Sequence, residues 1–135
     1  MVEKSKEEIV ISMPLYLVLS KKEKGKKYHL NLNQYRNWHY LVSNNLKKKY
    51  KEIVYPKIKD FNFDKISLKF ILYKSSKRKI DRANVLCVHE KFFCDALVES
   101  GCILDDNDTY IESTSYFSGG IDRSNPRVEI HITEL

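Results

Sequence analysis

With 135 residues, 42% hydrophobic and 31% charged, the chain can build one domain around one core and is too short for two ordinary ones. Its longest apolar stretch, Ile9–Leu19, is broken by Ser12 and Pro14 and falls short of the roughly 20 residues that cross a bilayer. The flank Glu3–Glu8 is mixed in sign, unlike a secretory leader, so a cytoplasmic protein with no membrane partner is expected.

Charge divides the chain. Residues 1–80 hold 20 Lys and Arg against 7 Asp and Glu, whereas residues 81–135 hold 4 against 11, giving the net charge of +6. A basic part suits phosphates and a separate acidic part suits cations. The odd count of three cysteines, without CxxC spacing, argues against a zinc site of the usual kind and against a disulfide framework. Cys87 and Cys94, seven apart, read as small packing residues.

In chain order, Glu8–Ser20 reads as a first strand, with Ile9, Ile11 and Met13 on one face and Pro14 marking an edge or a break. Lys21–Lys27 is a charged turn around Gly25, either a plain exposed hairpin tip or a phosphate-facing loop through Lys24, Lys26 and Lys27. Asn31–Lys51 reads as a helix capped by Asn33, with Tyr35, Trp38, Leu41, Val42, Asn45 and Leu46 on its buried side. The run Lys47–Lys49 with Lys51 then falls in its last turns and complements the helix dipole. Arg36 and His39 flank Trp38, where Arg36 could reach DNA. Pro56 closes this region. A second strand, Asp64–Lys74, alternates Ile66, Leu68, Phe70 and Leu72 inward. Ser75–Lys79 is a basic loop offering Lys77, Arg78 and Lys79 to DNA. A second helix spans about 84–100, and strands Thr109–Phe117 and Arg127–Thr133 close the chain, with turn chemistry at Ser118-Gly119-Gly120 and Ser124-Asn125-Pro126. The order β-α-β-α-β-β predicts a single α+β domain over residues 1–135, one sheet of about four strands with two main helices.

The second helix carries the chemistry. At 100° per residue, Asn84, Lys91 and Asp95 fall along one line, with Asp81 just ahead of the helix, and Gly101 lets the chain reverse toward Asp105-Asp106. Crowded carboxylates stay ionised only when cations neutralise them, and hard oxygen donors suit Mg²⁺. The same residues also fit a purely structural account: Asp81 as an N-cap, Lys91 and Asp95 as an (i, i+4) ion pair, and Asp105-Asp106 as a turn.

Asp81-Arg82-Ala83-Asn84, Lys91, Asp95-Ala96-Leu97, Gly101 and Asp105-Asp106 together resemble the core of the RusA-type Holliday junction resolvases. That family's pattern is an Asp-x-Asp-Asn loop, a Lys four residues before Asp-Ala-Leu, a Gly, then Asp-Asp. The resemblance implies a homodimeric, Mg²⁺-dependent (or Mn²⁺-dependent) endodeoxyribonuclease of bacterial or phage-infected cells. Such an enzyme binds branched DNA and resolves junctions by phosphodiester hydrolysis in recombination and repair. It implies catalytic roles for Asp81, Lys91, Asp95 and Asp106, metal ligation by Asp81, Asp95, Asp105 and Asp106, and a supporting role for Asn84. Two departures stand out: Ala83 occupies the place of the family's second loop aspartate, and four additional residues separate Asn84 from Lys91. Asp95 is the carboxylate expected to compensate, since it shares the stripe with Lys91 and Glu90 does not. Ala83 is also what favours the alternative, a basic nucleic-acid-binding protein whose acidic cluster is structural.

Overall fold

A computed structural model describes residues 8–20 and 24–135. The flank Glu3–Glu7 and the start of the basic turn, Lys21-Lys22-Glu23, lie outside the described residues. Among those described, the order is β1 (Glu8–Met13), β2 (Tyr16–Leu17), β3 (Tyr28–His29), α1 (Leu32–Tyr35), α2 (Tyr40–Ile58), β4 (Ile66–Lys74), α3 (Arg82–Glu99), β5 (Ile111–Ile121) and β6 (Arg127–Glu134). The fold is α+β, with a mixed four-stranded sheet in the order β1-β6-β4-β5 and a small β2-β3 hairpin. Among the described residues, no helix is long and apolar enough to cross a membrane.

One sheet face forms the core. Strand alternation sends Ile11 and Met13, Ile66, Leu68, Phe70 and Leu72, and Val128, Ile130 and Ile132 inward. They pack under α2 (Leu46, Tyr50, Val54, Ile58) and α3 (Leu86, Phe93, Leu97), where Phe70 and Phe93 meet edge to face. The expected first strand stops at Met13, because Pro14 has no N–H to continue the ladder, and β1 is indeed an edge strand.

Three boundaries differ from expectation. The first helical region is two helices: Asn31, not Asn33, caps α1 by accepting from Gln34 N, and His39 Nδ1 caps α2 by accepting from Leu41 N. The break leaves Leu41 and Asn45 exposed instead of buried. Helix α2 then continues to Ile58 through Pro56. Proline deprives the Glu52 carbonyl of its donor, but Glu52 and Pro56 are both exposed, so water can serve that carbonyl. Strand β5 continues through Ser118-Gly119-Gly120, which composition marked as a turn. Here glycine serves close approach: a Cβ on Gly119 would stand 2.6 Å from Tyr73 Cε1.

The element that positions the site is α3. Asp81 Oδ1 accepts from Ala83 N at 3.0 Å and starts the helix. Gly101, at φ 77°, ends it, with Cys102 N donating to Leu97 O and Gly101 N to Val98 O, the paired bonds of a Schellman cap. Because β4 and β5 run parallel, α3 must carry the chain from the carboxyl end of one to the amino end of the other. Asp81 therefore sits at the carboxyl end of the β4–β5 pair, and the Asp105-Asp106 loop leaves from the amino end. Both ends are pinned: Asp122 N donates to Lys74 O at one, and Ile66 N to Tyr110 O at the other.

Candidate functional site

The stripe along α3 exists. Phe93, Leu86 and Leu97 face the sheet, which turns Asn84, Lys91 and Asp95 to the opposite side, where Lys91 is exposed and the other two are partly buried. Alignment around a helix is not proximity along it, however. Asp95 lies fourteen residues beyond Asp81, about 20 Å at 1.5 Å per residue. One ion with ligand distances of about 2 Å cannot take both, so a single site holding Asp81 together with Asp95 does not form within one chain. Among the described residues, no three His, Cys, Asp or Glu side chains come together as a metal-holding group.

The acids divide as follows. Asp81 is an exposed cap. Asp105 is spent on its own turn, accepting from Asp106 N at 2.8 Å and from Asn107 Nδ2 at 3.3 Å. Asp106 is exposed and makes no side-chain hydrogen bond or ion pair among the described residues. It lies beside the second half of α3, because its charge is felt at Asp95 and at Cys94. Burial pushes the Asp95 carboxyl up; Lys47 and Lys91 oppose this, while Asp106 and Glu99 add to it. The Cys94 thiol, buried between Glu90, Asp106 and Asp95, is pushed up to about 12. Glu90 faces away from the stripe, where its Oε1 accepts from the Tyr116 hydroxyl at 2.6 Å. Asp106 thus lies near enough to Asp95 for its charge to be felt there, whereas Asp81 stands at the far end of the helix.

Lys91 does not pair with Asp95; among the described residues no ion pair joins them, and its ammonium lies 5.6 Å from the Tyr35 ring centroid. The lysine that faces Asp95 most strongly is Lys47, across a groove of about 380 Å³ between α2 and α3. Asn44, Lys47, Lys48 and Lys51 line one wall of the groove, and Asp95 and Glu99 the other, with Lys51 bonded to Glu99 at 2.7 Å. The lysine run is therefore not a dipole complement. Lys47 lies eleven residues before the end of α2, beyond the last turn in which the dipole acts. Sequence reasoning missed this wall, although the three-and-four spacing of Asn44, Lys47, Lys48 and Lys51 was there to be read.

The expected DNA-facing cations are all exposed and fall in three places. Lys24, Lys26 and Lys27 occupy the β2-β3 hairpin tip, where Lys26 lies over Tyr28 and Lys27 over Tyr16. Arg36 ends α1, close enough to α3 for its charge to reach Cys87. Lys77, Arg78 and Lys79 form the loop into α3, steadied by Lys74 Nζ donating to Arg78 O. Arg82, at the first position of α3, and Arg123, in the adjoining β5–β6 turn, extend this last group. A scan against protein-family models finds no match, and no curated protein matches the chain.

Asp95 and Asp106 offer hard oxygen donors. Mg²⁺ is commonly held by one or two carboxylates completed by substrate phosphates, and Asp95, in the wall of the lysine-lined groove, with Asp106 near enough for its charge to be felt there, are acids of that donor type.

Proposed function

We propose that the protein is a metal-dependent endodeoxyribonuclease that binds branched DNA, Holliday junctions included, and cuts it by phosphodiester hydrolysis in recombination and repair. In this reading it acts in the cytoplasm as a homodimer, since symmetric cleavage of a four-way junction calls for two sites related by a twofold axis. The observation that carries it is Asp95 in the wall of a groove lined by Lys47 and Lys48, with the charge of Asp106 felt at Asp95. Asp95 and Asp106 would hold Mg²⁺ or Mn²⁺, which supplies Lewis-acid polarisation of the phosphodiester. Lys91, free of a carboxylate partner among the described residues, and Lys47 hold the phosphate and counter the charge that develops on it. Lys24, Lys26, Lys27, Arg36 and the Lys77–Lys79 loop track the DNA arms.

The test is a labelled four-way junction incubated with the purified chain and Mg²⁺, Mn²⁺ or EDTA. Nicking in Mg²⁺ that disappears with EDTA and in Asp106→Asn is expected; absence of nicking with every metal would sink the proposal. A second reading, a nucleic-acid-binding protein without hydrolytic activity, is favoured by Ala83 and by the separation of Asp81 from the other acids. Tight junction binding that ignores Mg²⁺ and persists in Asp81→Asn, with no cleavage, decides for it.

A further inference from the structure

Residues 24–51 hold eight Lys and Arg, four Tyr and Trp38, and no Asp or Glu. The fold brings three of these rings into successive contact beside α3. Tyr28 meets Trp38 edge to face at 6.4 Å between centroids, and Trp38 meets Tyr35 in the same way at 5.8 Å. A cation stands over the ring at each end: Lys26 Nζ lies 4.9 Å from the Tyr28 centroid, and Lys91 Nζ 5.6 Å from that of Tyr35. Tyr28 is buried, whereas Tyr35 and Trp38 keep part of their surface open to solvent. Two residues past Trp38, Tyr40 is 67% exposed, with its ring centroid 4.5 Å from that of His39 and the planes tilted by 32°. Among the described residues, no carboxylate pairs with Lys26, Lys27, Arg36 or Lys91.

We propose that this aromatic and cationic face holds unpaired DNA, with bases stacked on Trp38 and Tyr40 and backbone phosphates on Lys26, Arg36 and Lys91. The proposal rests on the reading above for its choice of DNA, and it names the part of a branched molecule that the face takes; it does not depend on hydrolysis. The chemistry of the face selects the occupant. A surface of unpaired cations without acids suits a polyanion. The rings add a second demand, because a base can lie on them only when its own π face is open. Duplex arms meet the first demand and fail the second, since their base faces are already stacked on one another. A single strand meets both. The ring quadrupoles of Tyr28 and Tyr35 also hold Lys26 and Lys91 in place, which fixes two positive charges beside the stacking surface. Lys91 stands about one helical turn before Asp95, so a strand that leaves the rings there is led to the lysine-walled groove.

Trp38 is the only tryptophan of the chain, so its fluorescence reports on this face directly. Titrating the full chain with an oligothymidylate of about 12 nucleotides, a length suited to stacking sites, should quench that fluorescence saturably without Mg²⁺. A duplex of equal length should leave it nearly unchanged. Tyr40→Ala should weaken oligothymidylate binding at least about 5-fold, the loss expected for one stacking ring. Leu41→Ala, which removes an exposed neighbour without a ring, should not weaken it. Arg36→Ala should lower the slope of log affinity against log salt by about 0.7, the share of one phosphate on a single strand. No quenching by the oligothymidylate, equal quenching by the duplex, or tighter binding of an oligouridylate overturns the proposal. So does full affinity in Tyr40→Ala. Junction cleavage measured on the same samples separates the two readings: quenching without cleavage rejects the nuclease alone, and cleavage without quenching rejects this site alone.

Discussion

Acidification should destabilise this protein through one histidine. His89 is fully buried on α3, its Nδ1 shares a hydrogen bond with the Tyr50 hydroxyl at 3.0 Å, and its Nε2 has no partner among the described residues. Burial pushes the imidazole down to about 3. In the unfolded chain the same group titrates near 6.5, so below that pH the unfolded state binds a proton that the folded state refuses. The folded-state value is depressed, so stability is whole above about pH 6.5 and falls with pH. At about 1.4 kcal/mol per pH unit, lowering pH from about 7.5 to about 5 removes about 2 kcal/mol. The carboxylates with lowered values act below that window. Glu8 is held below its ordinary value by its hydrogen bond to His131, and Glu129 by Arg127 and His131 against the opposing effect of burial; both lose stability only at lower pH. Asp95, pushed up by burial, has the opposite sign and gains slightly on acidification. Urea unfolding at the two pH values checks this, with His89→Gln, which keeps a neutral hydrogen-bonding group beside Tyr50, as control. If the variant loses as much stability as the native chain, the attribution to His89 is wrong. Because His89 lies in the α2–α3 seam that shapes the lysine-walled groove, junction binding should weaken over the same range.

Gly119→Ala should cost about 1–3 kcal/mol in thermal or urea unfolding, since the new methyl meets the Tyr73 ring and the Ile71 side chain at once. Asp81→Ala should lose about 1 kcal/mol of stability with its cap, while Asp81→Asn, which caps as well, should lose almost none; unfolding curves of the pair isolate the capping role. Any loss of cleavage in Asp81→Asn is then chemical and not structural. Lys47→Ala/Lys48→Ala should leave the fold intact and reduce the slope of log affinity against log salt by about 2 for duplex-armed DNA, as measured by anisotropy titration; an unchanged slope removes the groove from the DNA path.

Much of the fold was legible where periodicity was clean. Ile66 to Leu72 and Val128 to Ile132 alternate without interruption, and α3 carries both a capping aspartate and a terminating glycine. Elements that depend on distant partners were not. Gly119 looks like part of a turn until Tyr73 is known to lie against it, and Pro56 looks like a stop until its turn of helix is known to face water. The site was half legible. Angular periodicity correctly grouped Asn84, Lys91 and Asp95 on one side of α3, but the fourteen-residue rise that separates Asp81 from Asp95 runs along the axis, where periodicity carries no information. Lys47 was hidden for another reason: its role comes from a neighbouring helix, whose placement no local pattern reports.

Helix α3 can also be regarded as a ruler. Its two charged stations, the Lys77–Arg82 turn at one end and the Asp95 groove toward the other, stand about 20 Å apart. A nucleic-acid strand presents a phosphate about every 3.4 Å, so a strand laid along the helix spans about six nucleotides between them. Lengthening α3 by one turn between Asn84 and Lys91 would add about one to two nucleotides to that interval without rotating either station far from its face.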